Sequence, residues 1–195
     1  MFNGIASSLP ATLVLFFIQD RLQAAFSVQA AVLAVYFGVA ALSMPLWLQA
    51  VRRWGLPRSW LAGMCAAVLV FGFTFNLGAG DTTPFIWISA LSGIALGSDL
   101  AIPAAMLAGV VGSAGDRGHA EGTYFGWWNF ASKLNLALAA GLALPLLGFW
   151  GYVPDTRDPQ ALQVLSLAYC LIPCALKLLA GVLLYLFFIR KPQAP

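Results

Sequence analysis

Charge is scarce in this chain. Charged side chains make up 9% of its 195 residues, where a typical soluble domain carries about 25%, and that is too little polar surface for a water-soluble fold. The net charge is only +3, and no run of Lys and Arg is interleaved with aromatics, so nucleic acid is not an expected partner. Histidine occurs once, at His119, without a metal-ligand neighbour. The three cysteines (Cys65, Cys170 and Cys174) all fall within apolar blocks. None belongs to a C-x-x-C pair, so they read as small packing residues and no metal site is expected. There is no Ser-His-Asp set, paired-carboxylate or ligand cluster, so no catalytic residues, enzyme activity or organic cofactor are expected. The glycine-rich stretch 112–118 lacks the Gly-Lys-Ser/Thr of a phosphate-binding loop and reads as a flexible connection. Met1-Phe2-Asn3-Gly4 lacks the basic flank of a cleaved signal, so the first apolar segment is expected to be retained.

What the chain has is hydrocarbon. Hydrophobic residues make up 61% and the mean hydropathy is +0.86, gathered into blocks of the roughly 20 residues that cross a bilayer as helix. The expected fold is an all-α integral membrane bundle: one transmembrane domain over residues 1–195 with six spans, at about 3–19, 28–50, 59–77, 84–111, 122–147 and 159–189. Asp20-Arg21 ends the first span and Arg52-Arg53-Trp54-Gly55 the second. Ser59 reads as the N-cap of the third, Thr83-Pro84 as cap and first position of the fourth, and Asp158-Pro159 as the same pair for the sixth. The motifs Leu9-Pro10-Ala11 and Ile102-Pro103-Ala104 hint at a three-plus-three repeat.

Loop charges predict orientation. One side gathers Arg52, Arg53, Arg58, Arg117, Arg190 and Lys191, and the other only Arg21 and Arg157. The positive-inside rule then places both termini in the cytoplasm. Trp54, Trp60, Trp127 and Trp128 are read as markers of that interface, and Trp87, Trp150 and Tyr152 of the opposite one.

Three ionisable residues remain inside spans: Asp99 in the fourth, Lys133 in the fifth and Lys177 in the sixth. Each costs about 2.5–3.5 kcal/mol at a helix centre. At about 1.5 Å of rise per residue all three come to lie about 16–18 Å from the basic end, which suggests one shared polar cavity. Asn129, Ser132 and Lys133 fall on one helical face, with Asn135 alongside. Polar contact between packed helices is the plainer alternative for all three charges, and Lys177, one turn after Pro173, could instead bond a carbonyl freed by that proline. Two lysines face one aspartate, so either a lysine gives up its proton or a further anion comes from outside the chain. Ser7, Ser8, Pro10 and Thr12 make the start of the first span polar, as a cavity-lining face or as a kinked entry.

Several motifs carry a family resemblance. Gly97-Ser98-Asp99-Leu100-Ala101-Ile102-Pro103, Ala120-Glu121-Gly122-Thr123-Tyr124-Phe125, Lys133 and Gly151-Tyr152-Val153-Pro154 resemble the glycoside–pentoside–hexuronide:cation symporters. This is a branch of the major facilitator superfamily that includes the melibiose carrier. Asn3-Gly4 through Leu9-Pro10-Ala11 to Phe16-Phe17 is similar to the seventh helix of such a carrier, and Arg52-Arg53-Trp54-Gly55-Leu56-Pro57-Arg58-Ser59 to its basic loop between helices eight and nine. The likeness covers the chain and implies helices seven to twelve, the C-terminal half. It implies substrate contact by Asn129, Ser132 and Lys133; Asp99 and Lys177 are read from the residues themselves as a buried polar or coupling pair, or as a second wall of the path. It also implies a coupling cation, Na⁺ or H⁺, bound mainly by aspartates of a first half that this chain does not contain. Leu100 stands where the best-known carrier has an aromatic against the sugar, and Gly109 and Gly112 stand where acidic residues are usual.

The expected function is the C-terminal half of a cation-coupled symporter for a sugar or similar small solute, working by alternating access in a bacterial inner membrane. Its expected partners are that solute, the lipid bilayer, and either an N-terminal six-helix half or a second copy of itself. A truncated, non-transporting interaction subunit and a carrier of amphipathic lipids are the alternatives.

Overall fold

A computed structural model describes residues 1–116 and 118–190. Arg117 and Lys191, both used in the loop-charge count, lie outside the described residues. Among the described residues seven helical segments follow one another: α1 (Phe2–Arg21), α2 (Phe26–Leu42), α3 (Met44–Trp54), α4 (Leu56–Asn76), α5 (Thr82–Ser113), α6 (Glu121–Phe149) and α7 (Pro159–Ile189). Five are long and apolar enough to cross a membrane singly, and α2 with α3 supplies a sixth, bent span.

The bend is a correction to the continuous second span expected over 28–50. The chain turns by 41° at Ser43 because Pro45, in the first turn of α3, offers no N–H and its ring crowds the carbonyl four residues back. Ser43 Oγ donates to Ala40 O at 2.7 Å and faces Ile94 O of α5 at 3.3 Å. Pro57 likewise sets the start of α4. Proline suits the first helical turn, so the helix begins at Leu56 and not after Ser59. Ser59 is fully buried inside it, without a cap bond. Nor does Thr83 cap α5. That helix starts at Thr82, and Asp81 spends its carboxylate on the N–H of Gly78 at 2.9 Å. At α7 the expected cap holds, with Asp158 Oδ2 accepting from Ala161 N at 2.9 Å. A π-helical turn at Leu167–Leu171 lies just ahead of Pro173, where the missing N–H has to be absorbed.

The helices pack in a pattern that repeats. α5 lies against α2 and α4, α1 lies against α6 and α7, and α4 meets α7. Exchanging the first three spans with the last three maps this set of contacts onto itself, so the bundle is built as three plus three, with Pro10 and Pro103 in equivalent spans. The expected six-span, three-plus-three helical bundle is therefore what the structure shows. Close approach depends on glycine at a few places. A Cβ at Gly93 would stand 2.5 Å from the carbonyl oxygen of Tyr36 in α2, and one at Gly97 would collide with Ser43 Oγ.

The best-packed core lies toward the end that carries the loops 22–25, 77–81 and 150–158. Phe17 stacks on Tyr169 with centroids 4.3 Å apart, and Phe85 and Phe71 close around them. On α6 the buried residues Asn135, Ala139, Ala143 and Leu147 recur every four positions and form one stripe against α1. None of residues 121–134 is buried. Gly4, which meets Asn135, is in the first turn of α1. That helix therefore covers α6 only from Asn135 onward.

Candidate functional site

Asp99 and Lys177 come together. Lys177 Nζ stands 2.6 Å from Asp99 Oδ2, and each side chain is 10% exposed. Four helices converge on the pair. From α1, Asn3 Nδ2 donates to Asp99 Oδ1 at 3.3 Å and Ser7 Oγ to Oδ2 at 3.4 Å. From α4, the Trp60 indole N–H donates to Oδ1 at 2.9 Å. Lys177 also donates to Asn3 Oδ1 at 3.1 Å and Ser7 Oγ at 3.3 Å. Asn3 and Ser7 are four residues apart and so share a face of α1. Charges left unpaired in hydrocarbon cost several kcal/mol each. Here both are paired, and each carries further hydrogen bonds.

Lys133 does not join them, which corrects the expectation of one cavity shared by three charges. It is exposed on the first half of α6, as are Asn129 and Ser132. Ser132 Oγ donates back to Trp128 O at 2.9 Å, and Lys133 has no hydrogen-bond or ion-pair partner among the described residues. The three still lie together on one helix, on a face that no other helix of the bundle covers. Asn135, by contrast, is buried against Gly4, and its side-chain oxygen has no partner.

A cavity of about 280 Å³ lies between α1, α2, α4, α5 and α7. Asp99, Lys177 and Ser7 wall it at one end, and its other walls are mainly apolar, with Pro10, Phe71 and Tyr169 among them. Ser92, whose buried hydroxyl has no partner, also lines it. The space is large enough for several waters or a small organic molecule.

A second polar cluster clasps the opposite end. Asp20 is 1% exposed. It accepts from the Tyr152 hydroxyl and, at 3.2 Å, from Asp155 N. Arg157 Nη1 donates to Asp20 O at 3.2 Å and lies 3.9 Å from its carboxylate. Burial, and then the hydrogen bond to Asp20, holds the Tyr152 phenol well above the ordinary tyrosine range. Arg21 donates to Leu77 O at 2.9 Å and ties the end of α1 to the loop 77–81.

Trp60 and Tyr152 were both read as interface markers, and both are corrected: each hydrogen-bonds a carboxylate inside the protein. Nothing local in the sequence separates these two from Trp127 or Trp150, which are exposed. Asn3 was missed as well, although its four-residue spacing from Ser7 was a usable signal.

Six apolar spans in a three-plus-three arrangement, with an ion pair buried among four of them, define a multi-pass membrane protein of carrier type. A family model described as MFS/sugar transport protein matches residues 2–191, and the chain belongs to that family. Its function is accordingly of the transporter type. No curated protein matches the chain individually.

Proposed function

We propose that the chain acts as the C-terminal half of a cation-coupled symporter for a sugar or similar small solute, of the melibiose-carrier kind, working by alternating access. The observation that carries this reading is the uncovered face of α6. Asn129, Ser132 and Lys133 lie side by side there, exposed and without partners on other helices among the described residues, in a chain of a sugar-transport family. A lysine in hydrocarbon is costly, so such a face calls for a partner: a first six-helix half or a second copy, with a water-filled path between them. In this reading Lys133, Asn129 and Ser132 contact the solute, and the coupling cation, Na⁺ or H⁺, sits mainly on the partner half.

The test is uptake of a labelled sugar panel with and without a Na⁺ gradient, comparing the chain alone with the chain joined to a candidate first half. Gradient-driven uptake by the joined form only is expected. Uptake by a 20.7 kDa monomer would refute the half-carrier reading. The same reading places the protein in the cell membrane with Arg52, Arg53 and Arg58 on the cytoplasmic side. Cysteines at Arg58 and Asp155 should then label from opposite sides of the membrane.

One observation favours a second reading, a carrier of amphipathic lipids: the cavity has mainly apolar walls and an ionic end. A labelled single-chain amphiphile in the uptake panel separates the two.

A further inference from the structure

An ammonium has three N–H bonds, and that of Lys177 meets three oxygens of three kinds: the carboxylate of Asp99 at 2.6 Å, the amide oxygen of Asn3 at 3.1 Å and the hydroxyl of Ser7 at 3.3 Å. A simple ion pair would need only the first. Here the neutral groups are turned toward the cation as well. Asn3 presents its oxygen to the lysine and its nitrogen to Asp99 Oδ1, and Ser7 accepts from the lysine while donating to Asp99 Oδ2. The Trp60 indole fixes the carboxylate from its far side. One carboxylate, one amide oxygen and one hydroxyl converging on a point form the donor set that hard metal cations prefer. The point also borders a cavity, where water could complete a coordination shell.

We propose that Asp99, Asn3 and Ser7 form a monovalent-cation site, and that Lys177 fills it with an ammonium tethered to α7. An ammonium is close to K⁺ in size and shares its single charge, so the tether supplies permanently what a free ion would supply reversibly. Wild-type protein is therefore indifferent to alkali ions at this point. Removing the lysine side chain leaves the oxygens and their negative charge behind as a vacant alkali-ion site beside the cavity. This inference is independent of the half-carrier reading, because it concerns ion binding by this chain whether or not it moves a sugar.

The test uses the full chain in detergent micelles, melted in KCl, NaCl or choline chloride at equal ionic strength. Wild type should melt alike in all three. Lys177→Ala should be weakened in choline and recover by about 5–10 °C with saturating K⁺ or Na⁺, the shift expected for an ion binding only the folded state. Asp99→Asn combined with Lys177→Ala should lose that response. The proposal fails if Lys177→Ala melts alike in the three salts or is unfolded in all of them, because an ion then does not replace the ammonium. It fails equally if wild type responds as strongly as the variant, or if the double variant keeps the response.

Discussion

Lys133 and Lys177 belong to two helices that both pack on α1, at similar distances from the basic end of the bundle, yet their surroundings have little in common. Lys177 reaches an aspartate of α5 and an asparagine and a serine of α1. Lys133 reaches none of its neighbours and faces outward from a stretch of α6 in which no residue is buried. The difference is one of coverage, not depth. α1 places its first turn beside Asp99, Lys177 and Asn135 and then runs away from the first half of α6. A charge at mid-span is thus either built into the bundle or left for something beyond it, and the position of one neighbouring helix decides which.

The largest expected effect tests this contrast directly. In choline chloride, Lys177→Met strands the Asp99 carboxylate, and losing one partner of a buried pair costs about 3–5 kcal/mol. Lys133→Met breaks no contact and removes a charge that is costly in apolar surroundings, so it should lose nothing and gain up to about 3 kcal/mol. Thermal melts of the two variants read both values, and a comparable loss in each would erase the distinction. A smaller effect is expected for the tryptophans. Trp60→Phe removes a hydrogen bond to a charged acceptor, at about 1.5–3 kcal/mol, whereas Trp127→Phe, on the exposed face of α6, should leave the melting temperature unchanged. The smallest contrast is steric. Gly93→Ala drives a methyl group toward the Tyr36 carbonyl and should cost about 1–3 kcal/mol. Gly126→Ala on α6, where nothing lies within 4 Å, should be neutral or gain up to about 1 kcal/mol in helix propensity.

Much of this was legible beforehand. Long apolar blocks have one stable outcome in a bilayer, because only helices satisfy every backbone group within a single segment. The three intramembrane charges stood out for the same reason. Their pairing was not legible: depth follows from counting residues along one helix, but which charges meet depends on where α1 begins to cover its neighbours, and that is a tertiary property. Trp60 and Tyr152 were misread because an aromatic near a span end has two uses, anchoring at the interface or donating inward. The choice falls to a carboxylate 39 positions away for Trp60 and 132 away for Tyr152. The break at Ser43 could have been read from Met44-Pro45, since proline inside an apolar block bends it.

The buried ion pair also has a history in time. Asp99 precedes Lys177 by 78 residues, which at about 5–20 residues per second is roughly 4–16 s of synthesis. Asn3, Ser7 and Trp60 are already made when Asp99 enters the membrane, but its counter-charge is still to be translated. During that interval the nascent chain holds an aspartate without its lysine partner, and α1 lacks one of the contacts that fix its first turn. Assembly of the polar centre therefore waits for the last helix, and a ribosome stalled before Lys177 would leave every helix but α7 in a bundle that cannot close.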